Sequence, residues 1–149
     1  MDLAAIESGL LDVASTLTGI GRAFCQWENT PRVQHNGARV LLRWVSEVSK
    51  GVDGARYVFA ANADPLLEMT PVVEGSRVCV VQLDIEVYDQ RSGVNAHAVA
   101  SRARTRCYFP SVLAALSALE LAVANVGTIA VTDARLDGRM VSRRTFELR

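Results

Sequence analysis

Apolar residues recur at two different periods along this chain, and the points where the period changes mark its elements. Over residues 2–18, Leu3, Ile6, Leu10, Val13 and Leu17 return at steps of three and four, the spacing that lines one face of an α-helix. Asp2 stands where a side-chain oxygen caps the first free amides, and Gly19 follows the last periodic residue as a stop. Residues 22–27 read as a short strand ending in Trp27. The stretch Glu28-Asn29-Thr30-Pro31-Arg32 reads as a turn, because proline cannot serve a central ladder position and asparagine tolerates turn geometry.

From Ala38 to Ser49 the period drops to two, with Val40, Leu42, Trp44 and Val48 on one side and Arg43, Glu47 and Ser49 on the other. A turn is expected over Lys50-Gly51-Val52-Asp53-Gly54. Arg56–Ala61 and Leu67–Val73 form short extended pieces, interrupted by Asn62-Ala63-Asp64-Pro65 and Thr70-Pro71. Residues 51–76 therefore read as a long, partly extended excursion, the kind of segment that often carries binding. The clearest strand runs from Arg77 to Tyr88: Cys79, Val81, Leu83, Ile85 and Val87 alternate with Gln82, Asp84, Glu86 and Tyr88.

After a break at Asp89-Gln90-Arg91-Ser92-Gly93, Asn95 caps a helix that reaches about Tyr108, with Val99, Ala103 and Arg106-Cys107 at helical spacing. Pro110 suits the first turn of a second helix over Ser111–Ala124, striped by Val112, Leu113, Leu116, Leu119 and Val123 and closed by Gly127. Two strands follow, Thr128–Arg135 and Met140–Arg149, and Asp-Gly within Leu136-Asp137-Gly138-Arg139 signals a hairpin between them. The order predicts an α+β fold, a single mostly antiparallel sheet with the N-terminal and central helices on one face. Residues 1–149 are read as one domain.

Composition narrows the function. Half of the 149 residues are hydrophobic and 21% are charged, which is the profile of a globular chain. Basic and acidic residues balance at 16 each, so no global field attracts a polyanion, and none keeps copies of the chain apart. No apolar run reaches the ~20 residues that span a bilayer, and a start at Met1-Asp2-Leu3 that soon meets Glu7 and Asp12 is unlike a secretion signal. Cys25, Cys79 and Cys107 are an odd, scattered set. Neither a disulfide framework nor a zinc spacing emerges, which suits a reducing cytoplasm.

The chain holds single candidates for chemistry rather than a catalytic constellation. His35 sits in a polar loop and His97 in the first turn of a helix, each without a second convergent group. No Gly-x-Ser-x-Gly elbow, thiol-enzyme motif or phosphate-cradling glycine loop occurs, and Gly19-Ile20-Gly21-Arg22 reads as a helix stop and turn. No cofactor or metal is implied. Asp84 and Glu86, two apart on one strand face, admit three readings: an acid/base or cation pair, a solvated face, or a face that lines a lumen or meets a neighbouring subunit.

Arginines cluster at Arg102, Arg104 and Arg106 and again at Arg139, Arg143, Arg144 and Arg149, while Lys50 is the one lysine. The planar guanidinium favours bidentate contacts across interfaces, although a coding bias toward arginine produces the same count. The interface reading predicts that Arg143→Glu with Arg144→Glu spares the fold and impairs assembly.

The succession Trp27-Glu28-Asn29-Thr30-Pro31-Arg32, a long alternating strand ending in Val87-Tyr88-Asp89, a helix pair around Phe109-Pro110-Ser111-Val112-Leu113-Ala114-Ala115-Leu116 and a terminal arginine-rich hairpin resembles the tail-terminator and neck proteins of tailed bacteriophages. The resemblance implies a non-enzymatic virion subunit, assembled in the host cytoplasm, that closes into a ring, commonly a hexamer. Such a ring caps the tail tube, stops its polymerisation and docks the head connector. Its partners would be other copies of itself, the tube protein and the connector protein, with DNA only passing through the lumen and no membrane. Asp84, Glu86, Arg139, Arg143, Arg144 and Arg149 are the interface candidates. Another neck or tail-completion subunit stays open as an alternative, as does a small-ligand-binding or enzymatic α+β domain built on Asp84 and Glu86, which would need a deep pocket around those acids.

Overall fold

A computed structural model describes residues 3–30, 37–49, 55–61, 69–75, 77–88, 93–136 and 139–149. The expected Asp2 cap, the Pro31-Arg32 turn, His35, the 50–54 turn, the 62–65 interruption, the 89–92 break and the Asp137-Gly138 pair lie outside the described residues. The chain divides into two compact units, one of residues 1–45 and 80–149 and the other of residues 46–79.

The larger unit is an α+β fold with three helices packed on a mixed sheet. Helix α1 covers Leu3–Thr18 and buries Leu10, Val13, Ala14 and Leu17, the later part of the expected stripe; Leu3 itself is exposed. It stops at Gly19, whose φ of +74° suits a residue without a Cβ, and the Gly19 N–H donates to the Ser15 carbonyl at 2.8 Å. The expected strand over 22–27 is half right. Arg22–Phe24 make a single 3-10 turn, and β1 is confined to Cys25–Trp27.

Strand β2 spans Ala38–Ser49 as the alternation predicts, and β5 spans Arg77–Val87. β6 (Ala130–Val131), β7 (Ala134–Leu136) and β8 (Arg139–Leu148) complete the set. The sheet order is β1-β2-β5-β8-β6, with β7 paired to β8. β1 runs parallel to β2, with Trp27 opposite Leu42. β8 is antiparallel to β5, and its outer side carries β6 and β7, also antiparallel. Leu136 pairs with Arg139, the closure that the Asp-Gly hairpin signal predicts. The parallel β1–β2 pair is what departs from the antiparallel expectation.

Helix α2 covers Ala96–Arg106, and Asn95 caps it by accepting from the N–H groups of His97 and Ala98 at 2.9 and 3.2 Å. Its buried face, Ala96, Val99, Ala100, Ala103 and then Cys107, is built of small side chains, which let the helix backbone approach the sheet closely. With α1, α3, Val40, Leu42, Val81, Leu83, Ile85, Phe146 and Leu148 it forms one continuous apolar core.

Helix α3 covers Pro110–Ser117, not 111–124. The apolar repeat continues past Ser117, but the chain turns: the Glu120 N–H donates to Ser117 and the Leu121 N–H to Leu116, each at 3.0 Å. That bond pair is a Schellman ending, with Glu120 as its left-handed residue at φ 59°. A side chain in that conformation is strained. Glu120→Gly is therefore expected to raise stability by about 0.5–1 kcal/mol in urea unfolding, after allowing for glycine's freer unfolded chain. Gly127, expected to end the helix, serves elsewhere. Its N–H donates to the Glu147 carbonyl at 2.7 Å, and an added Cβ would lie 3.3 Å from that same oxygen.

The second unit, residues 46–79, contains a separate two-stranded antiparallel sheet of β3 (Ala55–Ala61) and β4 (Met69–Gly75), paired from Ala55–Gly75 through Ala61–Met69. Within the expected, partly extended excursion at 51–76, the described residues are thus two paired strands, which correspond to the two short extended pieces read from sequence.

Candidate functional site

Strand β5 is buried on both faces, which its alternation does not announce. The odd positions Val81, Leu83, Ile85 and Val87 are buried as expected, but Asp84 and Glu86 are buried too. The solvated-face reading of these acids is therefore wrong. Because β5 and β8 are in register, Asp84 faces Thr145 and Glu86 faces Arg143. The Thr145 hydroxyl donates to Asp84 at 2.8 Å and the Gln82 amide at 2.7 Å.

Glu86, with no exposed surface, lies between two arginines. Arg39 of β2, 5% exposed, donates Nε–H to one carboxylate oxygen at 2.6 Å, and the Tyr88 hydroxyl donates to the same oxygen at 2.9 Å. Arg143 donates to the other oxygen. The Arg39 guanidinium also stands over the Tyr88 ring, 4.6 Å from its centroid. Burial alone would raise the Glu86 pKa, but hydrogen bonds from Arg39 and Tyr88 and the positive charges of Arg39 and Arg143 outweigh it and hold the carboxyl below 4.5. A carboxylate whose oxygens are taken up in this way is not free to move protons or bind a cation. Neither acid lines a described cleft.

Two of the remaining arginine candidates, Arg144 and Arg149, are tied locally. Arg144 pairs with Asp133, which also accepts from the Arg143 N–H at 3.0 Å and the Ser142 hydroxyl at 3.3 Å. The Arg144 hydrogen bond, first of these, lowers the Asp133 pKa. Arg149 is exposed and pairs with Glu147 at 3.0 Å; the side chain of Arg139 lies outside the described residues. Among the early cluster, Arg104 donates to the Gly127 carbonyl at 2.8 Å and Arg106 to carbonyls at the end of α1, leaving Arg102 exposed.

Thus Asp84, Glu86 and Arg143 come together as internal framework rather than as an outer surface. The expectation that Arg143→Glu with Arg144→Glu spares the fold does not survive these pairings. Cys25 and Cys107 are buried, and burial pushes both thiols up to about 11, so both stay protonated and unreactive at neutral pH. His97 is exposed on α2. Among the described residues no group of three or more His, Cys, Asp or Glu could hold a metal ion, and no helix is long and apolar enough to cross a membrane.

Two clefts of about 350 Å³ each open on the larger unit. One lies between α1 and α3 and is mostly apolar, with Gly9, Val13, Val112, Ala115 and Leu119 on its walls. The other lies where α1 passes the end of β1 and the middle of β2. There Trp27 and Trp44 stack with centroids 5.3 Å apart and planes 12° apart, and Glu7 of α1 fixes both. Its backbone carbonyl accepts from Trp27 Nε1 at 3.1 Å and its carboxylate from Trp44 Nε1 at 3.2 Å.

Neither Glu7 nor Arg39 stands out in the sequence, where Trp44 is a strand position and Trp27 a strand end that opens the motif carrying the resemblance. The available signal was Arg39 on the polar side of one strand and Glu86 on the polar side of another. For the tryptophans, a parallel pairing of β1 with β2 is needed, and periodicity does not encode it. Compared with protein-family models and with curated proteins, the chain matches none.

Proposed function

We propose that this chain is a structural subunit that closes into a ring at the end of a bacteriophage tail tube, halting tube growth and docking the head connector. The observation that carries the reading is exposed apolar surface: besides the scattered Leu3, Phe24 and Val45, large side chains are left open together in two separate places. Tyr108 (56% exposed), Phe109 (48%) and Leu113 (39%) lie at the α2–α3 corner, and Val131 (62%) on β6 and Met140 (60%) on β8 lie toward the outer side of the sheet. Unlike patches on one subunit suit heterologous, head-to-tail contacts, which generate rings when the rotation closes. A net charge of zero leaves no long-range repulsion against such packing. The resemblance to tail-terminator and neck proteins supplies the setting.

The enzymatic alternative required a pocket around Asp84 and Glu86, and both acids are instead buried in internal pairs, which weighs against it. Electron microscopy of the protein mixed with assembling tail tubes tests the proposal. Tubes of uniform length bearing a ring at one end are expected, and tubes that keep growing with no ring bound would sink it.

A further inference from the structure

The cleft beside the stacked indoles is built unlike a gap in packing. Its wall comprises Glu7, Trp27, Glu28, Leu42, Arg43 and Trp44. Glu28 is neutralised by its ion pair with Arg43. The Glu7 carboxylate is not neutralised: one oxygen accepts from Trp44, and the other has no partner among the described residues. An uncompensated carboxylate beside two parallel indole rings attracts a cation, and a planar one best, since a guanidinium stacks on the ring while donating to the carboxylate. The turn after β1 is braced around the cleft, with the Thr30 N–H and hydroxyl donating to the Trp27 carbonyl at 3.1 and 2.6 Å.

The chain itself offers such cations. Arg102 and Arg135 are exposed, and their side chains have no hydrogen-bond or ion-pair partner among the described residues. Arg102 projects from α2, whereas Arg135 lies on β7, which with β6 forms the outer edge of the sheet, and β1 beside the cleft forms the opposite edge. A head-to-tail joint pairs two different surfaces of successive copies, and the two opposite sheet edges are such a pair.

We infer that the cleft between α1, β1 and β2 receives the Arg135 guanidinium of a neighbouring copy of this chain. The inference takes its occupant from the ring proposal, but the cleft's preference for a guanidinium stands apart from it. Glu7 and the indoles supply charge and stacking, and Arg135 supplies the matching fork, so each ring joint carries one such contact.

The chain has two tryptophans and both line this cleft, so indole emission, excited where tyrosine does not absorb, reports on this place alone. Titration with N-acetyl-arginine amide is expected to give a saturable change in indole emission. The uncharged citrulline counterpart should give none, and Glu7→Gln, which keeps an acceptor for Trp44, should weaken binding roughly tenfold or more. No response to the arginine probe overturns the cleft's assignment, whatever the fate of the ring.

The occupant is tested by mixing variants under the conditions in which the unmodified chain forms rings. Glu7→Gln and Arg135→Ala each leave one half of the joint intact, so neither should form rings alone, and an equimolar mixture should stop at dimers. Rings formed by Arg135→Ala alone would overturn the neighbour's Arg135 as occupant while leaving the probe result standing. An unmodified chain that never forms rings, yet binds the probe, would sink the ring proposal and with it this occupant. Unchanged circular dichroism of both variants excludes a folding defect as the cause.

Discussion

Replacing Glu86 with alanine is expected to cost about 3–5 kcal/mol of folding free energy, seen as a melting temperature lower by on the order of 10 °C. The size follows from what is left behind rather than from what is removed. Arg39 and Arg143 both donate to this one buried carboxylate, so its loss leaves two guanidinium groups near each other with no counter-charge. Arg39 is 5% exposed and has little access to water. Since a domain has only about 5–15 kcal/mol in hand, the variant should sit close to the edge of folding. Glu86→Gln separates the contributions, keeping the shape and some hydrogen bonding while removing the charge, and should fall between the two. If Glu86→Ala unfolds in urea at the same midpoint as the unmodified chain, the network is not internal framework and the acid is free for other work.

The same network gives a direction to the pH dependence. The folded-state pKa of Glu86 lies below its ordinary value of 4.5. Its contribution to stability is therefore fully present above that value and is lost as pH falls through the lowered folded-state pKa. Asp133 shifts the same way from 3.8 and adds to the acid side of the profile. Glu86→Gln should flatten the fall in stability below about pH 4.5, because the group that must be protonated is no longer there.

How these elements show in the sequence depends on whether their cause is local. β2 and β5 are legible because a two-residue period follows from the pleat itself, and Asn95 because a cap bonds amides two and three residues away. The end of α3 is not legible: Leu119, Leu121 and Val123 continue an apolar pattern, and Glu120 occupies a left-handed position where glycine would have been the signal. The burial of Glu86 is not legible either. Its partners lie 47 and 57 residues away, and alternation predicts which face a residue takes but not what the face meets. For the candidate cleft, nothing local marks Glu7, since its role depends on two indoles brought together by a parallel pairing.

Reversing Arg143 and Arg144 together to glutamate is the second large effect, and it decides between surface and framework. Arg143→Glu sets a carboxylate directly opposite Glu86 in the β5–β8 register, so a buried charge loses one partner and gains a repeller; that alone is worth about 3–5 kcal/mol. Arg144→Glu does the same to Asp133, but at an exposed acid, where the loss is small. The double variant should therefore lose its folded circular-dichroism signal at urea concentrations that the unmodified chain withstands, with Arg143→Glu accounting for most of the change. Arg135→Glu is the matched control. It reverses an exposed arginine with no partner among the described residues, so it should leave the unfolding midpoint in place while abolishing ring formation. A double variant that stays folded to the same urea concentration would mean that β8 can spare these arginines, returning them to the assembly surface that the sequence suggested.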